Sequence, residues 1–288
     1  MVSGSSDGRR RIACGLPNPT WRECRSVRLD VERHTRAMVR SWLSQSHSGT
    51  REIAGLAVLY GLYEVIRGAG TENVQAAMRH TDDIVAVEQS LGLYFERGIQ
   101  QAFEGIPYAP ALLGLLYVTL HFAGTAIALT WIHRKHPDRF PIVRTTFVIA
   151  TALALVGYVF FPAAPPRLAE LGFSDTVTHS TGLDLSSDLL GALYNPFAAV
   201  PSLHFGYALI IGVALATIAE RRWLRVLGGL YPAAMLLIIV ATGNHFFIDA
   251  ALGGLAVLVG WLAARMLLAT PATRRPAPRV ATSAAGRA

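Results

Sequence analysis

Residues 243–268 read GNHFFIDAALGGLAVLVGWLAARMLL, a short polar opening and then an apolar run in which no charge falls between Asp249 and Arg265. The hydrocarbon core of a bilayer is crossed by about 20 predominantly apolar residues of helix. The stretch from Phe246 to Leu268 meets that length, so a membrane-spanning helix is expected there, with His245 and Asp249 at one end. Four residues apart, those two side chains share a helix face and can hydrogen-bond. Two polar groups in an apolar bundle also pair merely to satisfy each other. Ionisable groups inside a membrane are costly enough, however, that function is the default reading.

Five more apolar runs lie upstream, from Glu52 to Ile66, Tyr108 to Ile132, Ile142 to Phe161, Ser202 to Ala219 and Trp223 to Thr242. Together they predict an all-α polytopic membrane protein, a six-transmembrane-helix bundle. The first run is the weakest, being short and holding Glu64. Composition agrees: with 52% apolar and only 16% charged residues in 288, and a mean hydropathy of +0.38, the chain lacks the surface groups of a soluble globule. The formal charge of +7 does not point to nucleic acid, because the basic residues flank apolar runs instead of lining one face.

Outside the spans the segments differ in character. Residues 1–51 carry ten arginines and no apolar run, which predicts a basic tail. Residues 52–270 form the expected membrane domain. Residues 271–288, rich in Pro, Ala and Arg, form a second tail expected to be disordered. Between Thr71 and Gly105, apolar residues alternate with charges at helical spacing, as in amphipathic surface helices. The segment from Pro162 to Pro201 is rich in Pro, Gly, Ser and Asp, and loops of that length are more often functional than filler. Cys14 and Cys24 take no role.

Lysine and arginine in short loops stay on the cytoplasmic side. With both termini cytoplasmic, 22 of the 26 basic residues fall on that side, while the two opposite loops hold Arg79, Arg97 and Arg167 against ten acidic residues. That orientation puts three polar clusters together outside the cytoplasm: Phe161-Pro-Ala-Ala-Pro-Pro-Arg167, Pro201-Ser-Leu-His204 and Gly243-Asn-His245-Phe-Phe-Ile-Asp249.

Each cluster suits phosphate. A carboxylate behind His245 fixes its tautomer and makes the other ring nitrogen a better nucleophile or base. Pro201 suits the first turn of a helix, whose free N–H groups and dipole attract anions. Ser202 adds a hydroxyl donor, and His204 can give a proton to a departing oxygen. The Arg167 guanidinium can grip phosphate oxygens through parallel hydrogen bonds; anchoring its span among headgroups is the plainer alternative. Asn244 can orient the nucleophile or the substrate. His121, inside the second span, fits a core histidine satisfied by a neighbour better than a site residue, and Tyr158 and Trp131 fit interfacial belts equally well. No carboxylate pair or histidine cluster stands at metal-ligand spacing in the outer loops, so neither metal nor other cofactor is expected.

In order and spacing, Ala164-Pro-Pro-Arg167, Pro201-Ser-Leu-His204 and His245-Phe-Phe-Ile-Asp249 resemble the three blocks of the phosphatidic acid phosphatase type 2 superfamily. Their forms look most like the branch of inositol phosphorylceramide synthases and their bacterial relatives. The resemblance covers roughly Gly92 to Leu268. It implies a six-span enzyme of a bacterial cell membrane with a phosphohistidine intermediate: His245 as nucleophile, Asp249 orienting it, His204 as acid then base, and Arg167, with Ser202 and Asn244, on the phosphate. The implied partners are a lipid-phosphate substrate and, for transfer, a lipid alcohol acceptor. Two basic positions of the phosphatases are absent, since Phe160 stands seven residues ahead of Arg167 and Ile238 and Ile239 replace a Ser-Arg pair. That departure favours a phosphodiester or pyrophosphate substrate, or transfer to an alcohol, over phosphomonoester hydrolysis. The alternatives are a lipid phosphatase for phosphatidic acid or a polyprenyl (di)phosphate and, of a different class, a lipid transporter. Polar groups collected at one face argue against the transporter.

Overall fold

The computed structural model describes residues 74–176, 178 and 197–269, with isolated helical positions between 29 and 61. Two amphipathic helices come first. Helix α1 (Val74–Ser90) buries Ala77, Thr81, Ile84, Val85 and Glu88, the three-and-four spacing of one helix face. Helix α2 (Glu96–Glu104) buries Glu96 and Gln100.

The apolar helices follow. Helix α3 (Ala109–Lys135) is continuous but widens into a π turn at Leu120–Gly124. Helices α4 (Phe140–Phe160), α6 (Arg222–Ala241) and α7 (Phe247–Leu268), like α3, are long and apolar enough to cross a membrane. Helix α5 (Leu203–Ile218) is apolar too, but its 16 residues extend only about 24 Å. The chain is thus an integral-membrane protein, all-helical among the described residues apart from one isolated bridge between Ala163 and Ala198. Five of the six expected runs are helices here, four of them of full spanning length. The first, Glu52 to Ile66, lies largely outside the described residues, as do the tails at 1–51 and 271–288. Glu52 itself is described, and it forms a buried ion pair with Arg144 of α4 at 2.6 Å.

Close backbone approach sets the packing. In a bilayer, helices associate through fitted surfaces and not through apolar burial from water, so small residues collect where axes meet. A Cβ on Gly212 of α5 would stand 2.6 Å from the Gly228 carbonyl oxygen of α6, and one on Gly260 of α7 would stand 3.0 Å from the Thr146 carbonyl of α4. Around these contacts sit two apolar clusters, one holding Leu113, Tyr117, Met235, Ile238 and Ile239, the other Phe140, Phe147, Ile210 and Val257.

A third cluster, with Ile84, Val85, Ala163, Val200 and Phe246, lies where the connections meet at one end of the bundle. There α1 fastens the segment that leaves α4. His80 Nδ1 donates to the Pro162 carbonyl at 2.7 Å, and the Thr81 hydroxyl accepts from the Ala164 N–H at 2.9 Å. Ala163 N–H donates to Phe197 O at 3.0 Å, so the two described ends of the 162–201 segment lie side by side.

Candidate active site

Three chain segments come together at this end: the 3-10 turn Pro166–Leu168 beyond α4, the start of α5, and the turn between α6 and α7. The last is tight. Gly243 has a φ of +65°, a left-handed conformation that favours glycine. The Asn244 and His245 amides both donate to the Ile239 carbonyl, at 3.0 and 3.2 Å, which turns the chain sharply before α7 begins.

This turn places His245 and Asp249, 4% and 0% exposed, against each other. Asp249 Oδ2 lies 3.2 Å from His245 Nδ1 and also accepts the Phe246 N–H at 2.9 Å. A carboxylate can only accept, so Nδ1 carries the proton of this hydrogen bond, and in the neutral ring Nε2 is the nitrogen with the lone pair.

Arg167 is fastened to the same turn twice. Its backbone N–H donates to Gly243 O at 2.9 Å, and its Nε donates to Asn244 Oδ1 at 2.8 Å. Nη1 stands 3.4 Å from Asp175 Oδ2, and the side chain is 3% exposed. The Arg167 side chain is thus folded into the protein instead of extending away from it. Asn244, expected to orient nucleophile or substrate, is engaged with the arginine and, through Nδ2, with Thr242 Oγ1 at 2.9 Å.

At the start of α5 the expectation needs one correction. Pro201 does not occupy the first helical turn; Ser202 is the N-cap, its hydroxyl accepting from Phe205 N–H at 3.4 Å, and Pro201 precedes it. A serine side chain satisfies an orphan amide of the first turn, which a proline cannot do. The hydroxyl oxygen, having accepted, still has its own proton to donate. Ser202 N–H donates to the Asp249 carbonyl at 2.9 Å, and a Cβ on Gly253 would collide with the Ser202 carbonyl, so α5 and α7 start in contact. Tyr158, which fitted an interfacial belt equally well by sequence, is buried and donates to the Pro201 carbonyl at 3.0 Å.

His204 lies between two rings of α3. Tyr117 stacks at 4.1 Å with planes 12° apart, and His121 at 3.8 Å with planes 25° apart. The His204 and His245 ring centroids are 5.6 Å apart, close enough for both imidazoles to address one tetrahedral group.

His121 is the second correction. The sequence favoured a satisfied core histidine, yet its Nδ1 is buried without a hydrogen-bond partner and its ring lies against His204. His121 lies within the π turn, whose Leu120 carbonyl accepts from the Tyr231 hydroxyl of α6 at 3.1 Å. Such turns recur at functional sites. The only signal in the sequence was an ionisable group at membrane depth.

Histidines, a carboxylate and a fastened arginine gathered at one end of apolar helices place the protein among membrane-embedded enzymes of the phosphatase and phosphotransferase class. The chain belongs to the PAP2 superfamily, which it matches over residues 82–264. It is also similar to the phosphoinositol dihydroceramide synthase of Bacteroides thetaiotaomicron, with 32% identity over 150 residues, 45% of this chain and 46% of that protein. The match thus spans less than half of that relative's length. No solved structure matches.

Proposed function

We propose that this protein is a lipid phosphotransferase that moves a phosphoryl-linked headgroup, phosphoinositol in the reading its relative's name supports, from a phospholipid to the hydroxyl of a ceramide-like lipid. The reaction runs at the extracytoplasmic headgroup level, the side to which the distribution of lysine and arginine assigns the three clusters. The observation that carries the proposal is the His245–Asp249 contact at 3.2 Å with the His204 ring 5.6 Å away.

In the first step His245 Nε2 attacks the phosphorus of the donor phosphodiester. The bond from phosphorus to the lipid alcohol breaks, and protonated His204 gives its proton to that departing oxygen. The headgroup phosphate is left on His245. In the second step the acceptor hydroxyl surrenders its proton to His204 as its oxygen attacks phosphorus and the N–P bond breaks. Two easier displacements replace one hard one. Asp249 holds Nδ1–H throughout, and Arg167, positioned by Asn244, balances charge on the equatorial oxygens together with the Ser202 hydroxyl.

The apolar positions support a diester over a terminal phosphate. Phe160 is 79% exposed, while Ile238 and Ile239 are buried in an apolar cluster, so none offers a second cation to a dianionic phosphate. Mass spectrometry of products from purified protein, given labelled phosphatidylinositol with and without dihydroceramide, tests the reading. Label on the sphingolipid, dependent on acceptor, is expected. Release of water-soluble inositol phosphate with diacylglycerol regardless of acceptor makes the protein a hydrolase and not a transferase.

A further inference from the structure

The first three N–H groups at the start of α7 are taken by three different carboxylates. Asp249 accepts Phe246 N–H at 2.9 Å, Glu96 Oε1 accepts Phe247 N–H at 3.2 Å, and Glu88 Oε1 accepts Ile248 N–H at 2.8 Å. Only Asp249 belongs to α7; Glu88 comes from α1 and Glu96 from α2. A helix N-terminus welcomes negative charge, but that preference is too weak to accommodate three adjacent buried carboxylates. Glu88 and Glu96 are both 0% exposed. Each has its other oxygen, Oε2, buried with no hydrogen-bond partner. Two carboxylates accepting from consecutive amides are necessarily neighbours, so the two orphaned oxygens belong to one locus.

We propose that Glu88 and Glu96 hold a single proton between their Oε2 atoms, and that this acid–carboxylate pair is a positioning device that fixes the turn carrying His245 and Asp249 for the phosphoryl transfer proposed above. One proton satisfies both orphaned oxygens, removes one of three like charges, and joins α1 to α2 at the point where both grip α7. The titratable groups acting on Glu88 agree. They are Glu96 of α2 and Asp249 of α7, both acids. Burial first, then the hydrogen bond with Glu96, raises the Glu88 carboxyl from its ordinary 4.5 to about 9. Neither glutamate touches the reacting atoms; both act through the α7 backbone.

The sign follows from that rise. A carboxyl that holds its proton more tightly when folded contributes stability that is full below the ordinary value of 4.5, is drawn down as pH rises between the two values, and is gone above about 9. Glutamine is a close mimic of the protonated partner, because its carbonyl can accept from Ile248 N–H while its NH2 donates to Glu96.

The test uses full-length wild type, Glu88→Gln, Glu96→Gln and Glu88→Ala in lipid vesicles, measuring the thermal unfolding midpoint without substrate and turnover with lipid substrate, from about pH 5 to about pH 10. The wild-type midpoint should fall with rising pH, and its turnover should drop about tenfold per pH unit beyond the pair's titration. Glu88→Gln should lose that limb in both measurements and keep wild-type-like turnover at neutral pH. Glu88→Ala, which leaves one amide and one carboxylate unmatched, should lose about tenfold or more at every pH. Identical pH dependence in wild type and Glu88→Gln overturns the shared proton. So does a Glu88→Gln protein as impaired as Glu88→Ala, or failure of both glutamine variants to fold. If wild-type protein turns over no lipid phosphate at all, the proposed function fails, and the unfolding series alone still decides the proton.

Discussion

His204 and His245 face each other across the same site, yet different forces hold them. His245 is gripped at one nitrogen by a carboxylate, 3.2 Å from Nδ1, and its backbone belongs to a turn that four segments fasten. His204 is clamped on its faces by Tyr117 and His121, at 4.1 and 3.8 Å. A hydrogen bond to one nitrogen fixes a tautomer and hence which nitrogen can attack. Stacking fixes a ring plane and leaves the protonation state free to change. The first arrangement suits a nucleophile that must present the same lone pair every cycle; the second suits a group that gives a proton in one step and takes one in the next.

The largest expected effect comes from removing the gripped ring. His245→Ala should lower turnover on the order of 10⁴-fold or more, because transfer without a nucleophile must go in a single displacement. The variant should still insert in membranes and elute as the wild type does. Turnover within about tenfold of wild type in purified protein would remove His245 from the nucleophile's role. The corresponding phosphohistidine, trapped by rapid acid-free quench with labelled donor, should be present in wild type and missing in the variant.

Next in size is Asp249→Asn. The substituted amide keeps the shape and, with its oxygen in the place of Oδ2, can still accept from Nδ1 and from Phe246 N–H, but it removes the negative charge that supports the imidazole while Nε2 attacks. A fall of about 10³-fold in kcat, with KM little changed, is expected for a triad-like orienting carboxylate. An equal loss through KM alone would mean that Asp249 serves substrate binding and not the imidazole. Because Asp249 Oδ2 also caps Phe246 N–H at 2.9 Å, the unfolding midpoint has to be read beside the kinetics.

How far this contrast was legible in the sequence follows from what spacing encodes. The His245–Asp249 pair lies four residues apart on one helix, so a local rule found it. The long apolar runs were read the same way, and α3, α4, α6 and α7 fall where their hydropathy puts them. The clamp on His204 depends on a π turn in α3, and a π turn has no sequence period; one extra residue inside a run of uniformly apolar side chains leaves the hydropathy unchanged. Likewise Glu88 and Glu96 read as polar punctuation of two surface helices, because their partners are backbone N–H groups some 150 positions away, and main-chain donors look alike in every sequence. Pro201 was read as lying within the first turn, whereas it stands just before the cap, for a simpler reason: both proline and serine mark helix starts, and side-chain capping by Ser202 decided between them.

The smallest effect sharpens the comparison most, because it separates ring from nitrogen at His121. If stacking is what His121 supplies, His121→Phe preserves it and should keep kcat within about threefold, since an aromatic pair is worth roughly 1 kcal/mol beyond its buried area. His121→Ala removes one wall of the clamp and should cost about tenfold in kcat with KM unchanged. A different pattern, in which Phe is as damaging as Ala and the loss falls on KM for the acceptor lipid, would show that the unpartnered Nδ1 meets a substrate hydroxyl and that the clamp reading of His204 is wrong. Tyr117→Phe is the control on the opposite face: the ring stays, the hydroxyl goes, and kcat should remain at the wild-type level if planes alone hold His204 in place.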